Sequence, residues 1–166
     1  MTTLGELCNR TVSIAHADEP VLAIARRMRE HHVGCVVVVE DAPRGRIPIG
    51  VVTDRDLVVR VLATRAPELG RLRVANVLEG RLVVGRERES VAEGLHRMRA
   101  FGVRRLPVVD DDDVLQGIVT LDDALEQLAE HLGELAHLLG RERARERELP
   151  DEAVRRAAAL RGATLG

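Results

Sequence analysis

The chain has 166 residues, of which 45% are apolar, and this suits one globular domain or two small halves that share a core. A formal charge of −2 gives no overall attraction to nucleic acid or to an anionic membrane, and a single aromatic residue, Phe101, leaves no stacking platform for bases. No apolar run approaches the ~20 residues of a membrane-spanning helix, and the first ten residues lack the apolar region of a signal peptide. We therefore expect a cytoplasmic protein whose two cysteines, Cys8 and Cys35, are reduced thiols.

The first strong periodicity in the chain predicts an amphipathic helix. Apolar residues recur at spacings of i, i+3, i+4 and i+7, at Val21, Ile24, Ala25 and Met28. Pro20 fits the start of this helix. A short extended piece at residues 11–14 precedes it.

Two strands and a second helix are predicted next. The apolar, β-branched run at residues 35–39 is typical of a strand buried on both faces. Residues 41–48 contain two prolines and a glycine and predict a loop, after which residues 49–52 form the second strand of a hairpin. Residues 56–63 predict a helix. The unit is therefore strand, helix, strand, strand, helix, and its three short strands are too few to be stable alone.

This unit occurs twice. A shift of 70 residues aligns the two halves, with seven identical pairs: Val21/Val91, Arg27/Arg97, Met28/Met98, Arg29/Arg99, Val33/Val103, Val38/Val108 and Val39/Val109. The offset then falls to 67, because the hairpin loop is three residues shorter in the second copy. Ser90 and Glu93 predict a capping box before the second copy's first helix. We expect an α/β (α+β) fold in which two β-α-β-β-α repeats, residues 1–67 and 68–132, pack by their sheets around one core.

Each copy closes with the same motif, Gly-apolar-apolar-Thr-x-x-Asp, at residues 50–56 and 117–123. Its polar residues are Thr53 and Asp56 in the first copy and Thr120 and Asp123 in the second. A strand that enters a helix through Thr-x-x-Asp predicts a capping box. The same arrangement gathers backbone N–H groups, a hydroxyl and a carboxylate at one helix N-terminus, and its duplication favours a ligand site. A carboxylate repels phosphate but can accept two hydrogen bonds from a ribose diol, so we expect a nucleoside whose phosphate lies away from the aspartate.

The two motifs, together with the sequence Arg-Arg-Leu-Pro-Val-Val-Asp at residues 104–110, resemble the cystathionine-beta-synthase (CBS) domain pair, or Bateman module. The resemblance covers residues 2–132. It implies two repeats related by pseudo-twofold symmetry with two clefts between them. In many members one or both clefts bind an adenine-containing ligand such as AMP, ADP, ATP, S-adenosylmethionine or NAD(H). The motif aspartate then holds the ribose hydroxyls, and the threonine and nearby basic residues contact phosphate.

The resemblance also implies a regulatory role. CBS pairs usually form disc-shaped dimers and are mostly attached to enzymes, channels or transporters. No other recognisable domain is present here, so the sequence predicts a stand-alone CBS-pair protein without catalytic activity or a required cofactor. We expect an adenine nucleotide as regulatory ligand, a homodimer, and an unidentified effector protein as partner. The alternative is a protein-interaction or dimerisation module with unused clefts.

The two clefts are expected to differ. Arg55 lies inside the first motif, whereas Leu121 and an aspartate occupy the second. Arg104 and Arg105 precede the second copy's Leu-Pro strand, where the resemblance places phosphate-binding basic residues, but the first copy has Gly-Cys at residues 34–35. We therefore predict one good site and one weak or empty site. The alternative for the arginines is an ordinary solvated surface.

The end of the chain, residues 133–166, is predicted to extend the last helix. Leucines continue along it at positions 121, 125, 128, 132, 135 and 139, and from Leu125 the spacing is that of a short heptad seam. This seam either packs on its own domain or pairs helices between protomers. Pro150 is expected to break the helix before a further helix at residues 151–160 and a frayed tail at residues 161–166. Alternating charges at residues 141–148 favour a solvated helix over RNA binding.

Metal binding and catalysis have weaker support. His31, His32 and Cys35 are zinc-type ligands, but they straddle a helix end and a buried strand, so we predict no metal site. The acidic run at residues 110–113 lacks the EF-hand spacing and predicts a hairpin turn. The chain contains no nucleophile elbow, P-loop or Cys-x-x-Cys motif, so we do not expect an enzyme.

Overall fold

The computed structural model describes residues 2–162 of the chain, with side chains over residues 2–145. The chain divides into two compact units, Met1–Ala124 and Leu125–Gly166. The first unit contains both three-stranded sheets, and the second is helical. Over the described residues, no helix combines the length and the apolar character needed to cross a bilayer.

The first repeat has the predicted order of elements. It comprises α1 (Leu4–Leu7), β1 (Ile14–Ala15), α2 (Val21–His31), β2 (Cys35–Ala42) and β3 (Gly45–Thr53). β1 pairs in parallel with β2, and β2 pairs antiparallel with β3. After β3 the helix α3 consists of an α-helical turn at Asp54–Asp56, a π-helical segment at Leu57–Leu62 and a final turn at Ala63–Arg65.

The second repeat has the same topology. It comprises β4 (Gly85–Arg86), α4 (Val91–Phe101), β5 (Arg105–Val109), β6 (Leu115–Thr120) and α5 (Leu121–Gly162). Its sheet has the order β4-β5-β6, again with one parallel and one antiparallel pair. The predicted capping box of Ser90 and Glu93 is present at the start of α4. Two short 3₁₀ turns, Ala66–Glu68 and Val74–Asn76, lie between α3 and β4.

The loop predicted at residues 41–48 is wrong. β2 continues to Ala42 and β3 begins at Gly45, so the hairpin turn consists of two residues. Gly45 has a φ of 145°, a conformation that glycine adopts readily. Pro48 is tolerated in the strand because it lies beside a register shift, where Val39 pairs with Pro48 and the preceding residue pairs with Gly50.

The two sheets share a core, as the sequence predicts. Val37 and Val39 of β2 and Ile118 of β6 are buried together, with Leu115 and Val51 packed against them. Each sheet also packs on its own helices through a separate apolar cluster. The shared core holds the repeats face to face.

Each repeat is completed by a segment from the other. Leu4 and Cys8, at the chain's start, belong to the core of the second repeat, whereas Val74 belongs to the core of the first. The backbone follows the same exchange: Leu4 N–H donates to Glu89 O at 2.7 Å, and Val74 N–H donates to Glu19 O at 3.0 Å. The repeats therefore fold as one body, because neither has a complete core without the other.

The arginines repeated at positions 27 and 97 have a structural role. Arg27 pairs with Glu19 at 2.6 Å and also donates to the Ile14 carbonyl. Arg97 pairs with Glu89 at 2.7 Å and donates to the carbonyl of Val84, the residue before β4. Burial would raise the pKa of Glu19, but hydrogen bonds from Arg27 and the His16 amide outweigh it and hold that pKa below its ordinary 4.5.

The last helix, α5, is longer than predicted. Its backbone is helical from Leu121 to Gly162 without a break at Pro150, so the predicted separate helix at residues 151–160 is wrong. Proline costs an interior hydrogen bond, but strong helix formers such as Glu, Arg and Leu precede it. Residues 163–166 of the predicted frayed tail lie outside the described residues. The leucines of the predicted seam from Leu125 onwards are exposed by 53–57%.

Candidate functional site

Both Thr-x-x-Asp motifs form capping boxes with matching geometry. Thr53 donates its backbone N–H and its hydroxyl to Asp56 Oδ2, at 2.9 and 2.6 Å, and Asp56 N–H donates to Thr53 Oγ1 at 3.2 Å. Thr120 donates to Asp123 Oδ2 at 2.7 Å through both groups, and Asp123 N–H donates to Thr120 Oγ1 at 3.2 Å. The caps are thus present in both copies, and any difference between the clefts comes from other residues.

The glycine of each motif leaves room for a segment that precedes the other repeat and packs directly against the motif strand. A Cβ at Gly50 would lie 2.5 Å from Leu78 Cδ2. A Cβ at Gly117 would lie 2.6 Å from Cys8 Sγ and 2.9 Å from the Asn9 carbonyl oxygen. The glycines therefore keep these segments against β3 and β6, next to each motif.

The first motif opens on a cleft between the repeats. Thr53 and Asp56 line a cavity of about 660 Å³. The second repeat contributes Arg104 and Arg105 to the lining of this cavity, and the connection between the repeats contributes residues 78–83. Five arginines line this cavity: Arg55, Arg60, Arg81, Arg104 and Arg105. The structure thus brings together all the predicted site residues of the first motif and both predicted arginines of the second repeat.

Four of the five arginines in this cleft form no ion pair with the described part of the chain. Arg60 is the paired one, with its Nε 3.3 Å from Asp56 Oδ1 and its Nη1 3.3 Å from Glu79 Oε2. The other four have no side-chain ion pair or hydrogen bond with any residue of the described part of the chain. Since Asp54, Asp56 and Glu79 also line the cavity, five positive and three negative side chains leave an excess of two positive charges.

Arg60 and Arg81 were not predicted from the sequence. Arg60 follows Asp56 by four residues, which places both on one side of a helical turn, and this spacing could have identified it. Arg81 lies in the connection between the repeats and has no helical or strand pattern around it. The available signal was the comparison of the two repeats at the 70-residue offset, in which the charged Arg81 aligns with the uncharged Thr11.

The second motif opens on a smaller and nearly neutral cleft. Thr120 and Asp123 line a cavity of about 190 Å³ in which residues 34–35 replace the two arginines of the first cleft. Its charged lining side chains, within the described residues, are Arg105 and Asp123. Burial raises the pKa of the Cys35 thiol, and Arg105 only partly opposes this shift. A wider depression of about 650 Å³ shares Asn9, Thr11, Val12, Ser13 and Val33 with this cleft.

Arg105 lines both clefts. A Cβ at Gly34 would lie 3.2 Å from Arg105 Nη2 and 3.4 Å from Asp54 Oδ2, so the guanidinium lies across the start of β2, close to Asp54. Gly34 leaves the space that the guanidinium occupies. The two clefts are therefore not electrostatically independent, because they share one cation.

The predicted zinc-type ligands do not converge. Among residues 2–145, no group of three or more His, Cys, Asp or Glu side chains could hold a metal ion. His31 and His32 are exposed at the end of α2, where His32 is left-handed with a φ of 53°. The acidic run at residues 110–113 is the predicted hairpin turn, in which Asp113 takes the left-handed conformation with a φ of 63°.

Sequence comparison assigns the fold to a family. The family profile described as "CBS domain" matches residues 4–63 and again residues 75–130. The chain belongs to the CBS domain family. As a CBS pair it is 35% identical over 124 residues to an uncharacterized protein of Methanopyrus kandleri, covering 75% of this chain but only 61% of that relative. It is 33% identical over 138 residues to Hypoxic response protein 1 of Mycobacterium tuberculosis, covering 79% of this chain and 88% of that one.

Solved structures agree with the CBS assignment. A crystal structure of Hypoxic Response Protein I with two coordinated zinc ions matches at 30% identity and a TM-score of 0.65, over 75% of this chain and 98% of that one. The cytosolic domain of the Mg²⁺ channel MgtE, in complex with ATP, matches at 27% identity and a TM-score of 0.62, over 75% of this chain and 48% of that one. The repeat, its sheets and their face-to-face packing are thus those of CBS pairs.

Proposed function

We propose that this CBS pair is a non-catalytic regulatory module that binds an adenine nucleotide in its first cleft. The observation that carries the proposal is the four unpaired arginines, Arg55, Arg81, Arg104 and Arg105, in one cavity with the Thr53–Asp56 motif. A cavity with an excess of positive charge favours a ligand that carries phosphate. The complex of the related MgtE domain with ATP supports an adenine nucleotide in particular.

The cleft offers a place for each part of such a ligand. Asp56 Oδ1 is not used by the capping bonds to Thr53, so it can accept hydrogen bonds from ribose hydroxyls on exchange with Arg60. Arg104 and Arg105 of the second repeat line the same cavity and would pair with phosphate oxygens. Aliphatic side chains of the same cavity, including Ile49, Leu78 and Val83, supply apolar surface for the base.

Regulation follows from the position of the cleft. The motif and the arginines belong to different repeats, so a nucleotide that contacts both favours the arrangement of the repeats in which those contacts are closest. The size of the effect is limited by the difference in affinity between the arrangements. An effector protein would bind preferentially to one arrangement of the repeats. The nucleotide would then act as a signal and would not be a substrate.

Thermal unfolding with and without ligand tests the proposal. We expect AMP or ATP to raise the melting temperature through mass action, and adenosine to raise it less because it cannot use the arginines. The variant R81Q/R104Q should lose the part of the shift that depends on phosphate. The control variant R26Q/R99Q removes the same charge from exposed positions outside the cleft and should keep the full shift.

Two outcomes would contradict the proposal. The first is no shift with AMP, ATP, S-adenosylmethionine or NAD⁺ at millimolar concentration, which would favour an interaction module with unused clefts. The second is an equal loss in R81Q/R104Q and R26Q/R99Q, which would mean that phosphate responds to overall charge and not to this cavity.

A further inference from the structure

One face of α5 is apolar and exposed. Leu125, Leu128, Leu132, Leu135, Leu138 and Leu139 each expose 53–57% of their surface. We call these six residues the leucine face. Single exposed leucines are ordinary, but six on one helical face form a contiguous apolar patch of the kind that marks an interaction site.

The spacing of the leucine face is suited to another helix. Five of its leucines follow each other at intervals of three and four residues, which is the 3.5-residue repeat of two helices that supercoil. Ala129 and Ala136 lie along one flank of this stripe, where small side chains allow close approach of a partner helix. Complete burial of the six leucines on both copies would remove roughly 1,000 Å² from solvent, which is the most that the leucine face can contribute to an interface.

The charges along α5 are self-complementary in one orientation. From residue 121 to residue 135 the helix carries five carboxylates and neither Lys nor Arg. Residues 136–145 carry three arginines, Arg141, Arg143 and Arg145, and one glutamate. An antiparallel second copy would place the acidic half of each helix beside the basic half of the other, whereas a parallel copy would place like charges together.

We propose that the leucine face binds the leucine face of a second copy of this chain, with the two helices antiparallel. The register that agrees with these charges sets Leu132 opposite the partner's Leu135 and Leu128 opposite the partner's Leu139. It pairs four leucines of each helix with leucines and leaves Leu125 opposite the partner's Glu142. In that register Asp122 and Arg143 lie along the same flank of the seam, so Asp122 of one helix is next to Arg143 of the other. This self-association does not depend on whether the clefts bind nucleotide, so its failure and the failure of the proposed function are separately observed.

Sedimentation equilibrium of the full-length chain is the first test. We expect wild type to self-associate, and L132E/L135E to raise the dissociation constant at least tenfold by placing charges inside the seam. The control H137E/A144E adds two carboxylates at exposed positions on the side of the same helix away from the leucine face and should leave the dissociation constant unchanged within threefold. An equal dissociation constant for wild type and L132E/L135E, or a wild type that stays monomeric at about 100 µM, would overturn the proposal.

Disulfide cross-linking tests the orientation directly, because cysteine at residue 132 or 135 keeps the seam uncharged and the oxidised bond traps the pair. In a C8A/C35A background, chains carrying L132C and chains carrying L135C are mixed and oxidised. The antiparallel register predicts a disulfide between unlike chains and little between two L132C chains, because residue 132 does not face itself. A disulfide between L132C chains alone, or no disulfide in any mixture, would contradict the antiparallel pair.

Discussion

Replacing Asp56 by alanine separates the structural role of the motif from its proposed binding role. In the absence of ligand the change removes the capping bonds from Thr53 and the 3.3 Å ion pair with Arg60. Loss of an N-terminal cap costs about 1 kcal/mol, and an exposed i, i+4 ion pair adds a few tenths. For a domain of this size we expect the melting temperature to fall by about 2–8 °C. Asp123→Ala removes the same capping bonds in the second repeat and is the matched control.

The two variants should differ when ligand is added. At a nucleotide concentration 100 times the dissociation constant, wild type gains about 2.7 kcal/mol of stability. Loss of hydrogen bonds to a charged acceptor, at about 1.5–3 kcal/mol each, weakens binding by roughly a hundredfold. The same concentration then equals the dissociation constant of Asp56→Ala, and the gain falls to about 0.4 kcal/mol. Asp123→Ala should keep most of the wild-type gain, because the first cleft is intact.

Calorimetric melting with AMP, with isothermal titration for affinity, measures both quantities. Asp56 also repels phosphate, so its removal could strengthen binding if it made no contact with ribose. Tighter binding of AMP to Asp56→Ala would therefore refute the assigned role of this carboxylate. Equal loss of the ligand gain in both variants would refute the inequality of the clefts.

Two further predictions use the pKa shifts. The pKa of Glu19 lies below 4.5, so the stability that its carboxylate contributes is present above pH 4.5 and is lost as the pH falls below that value. The difference in melting temperature between wild type and Glu19→Gln should therefore shrink from about pH 7 to about pH 3. A difference that stays constant would contradict this. Since burial raises the pKa of Cys35, iodoacetamide should alkylate it slowly at about pH 7 and faster as the pH rises, as followed by mass spectrometry; a rate at about pH 7 equal to that of free cysteine would contradict this.

The fold could be predicted from the sequence because its signals are local and repeated. The alternation of β-branched runs with amphipathic helices defined each unit, and the second copy confirmed its order. The hairpin was predicted, but its two-residue turn at residues 43–44 was missed because proline and glycine usually mark loops, whereas here Pro48 lies beside a bulge inside β3. The exchange of Leu4 and Val74 between the repeats was also missed. It depends on long-range packing, which no local pattern encodes.

The residues that line the first cleft were predicted only in part, because some follow from local motifs and others are brought there by long-range packing. The capping residues follow from one short motif, and Arg104 and Arg105 follow from the resemblance to CBS pairs. Arg81 lies in a connecting segment without periodicity, and only the tertiary structure brings it to the cavity that Asp56 lines. The pairing of Arg60 with Asp56 follows from their spacing of four residues, whereas its contact with Glu79 depends on the tertiary structure.

The two clefts differ in charge because of the residues that line them outside the motifs. Both motifs have kept the same threonine, the same aspartate and the same capping bonds, since these begin a helix in either copy. The other lining residues have diverged: Arg104 in the first cleft corresponds to Gly34 in the second, and Arg81 to Thr11. A residue that caps a helix is held by folding, whereas a residue that only lines a cleft is free to change. Duplication of one unit therefore gives two equal caps and one cleft with an excess of positive charge, and Arg105, which lines both clefts, couples them electrostatically.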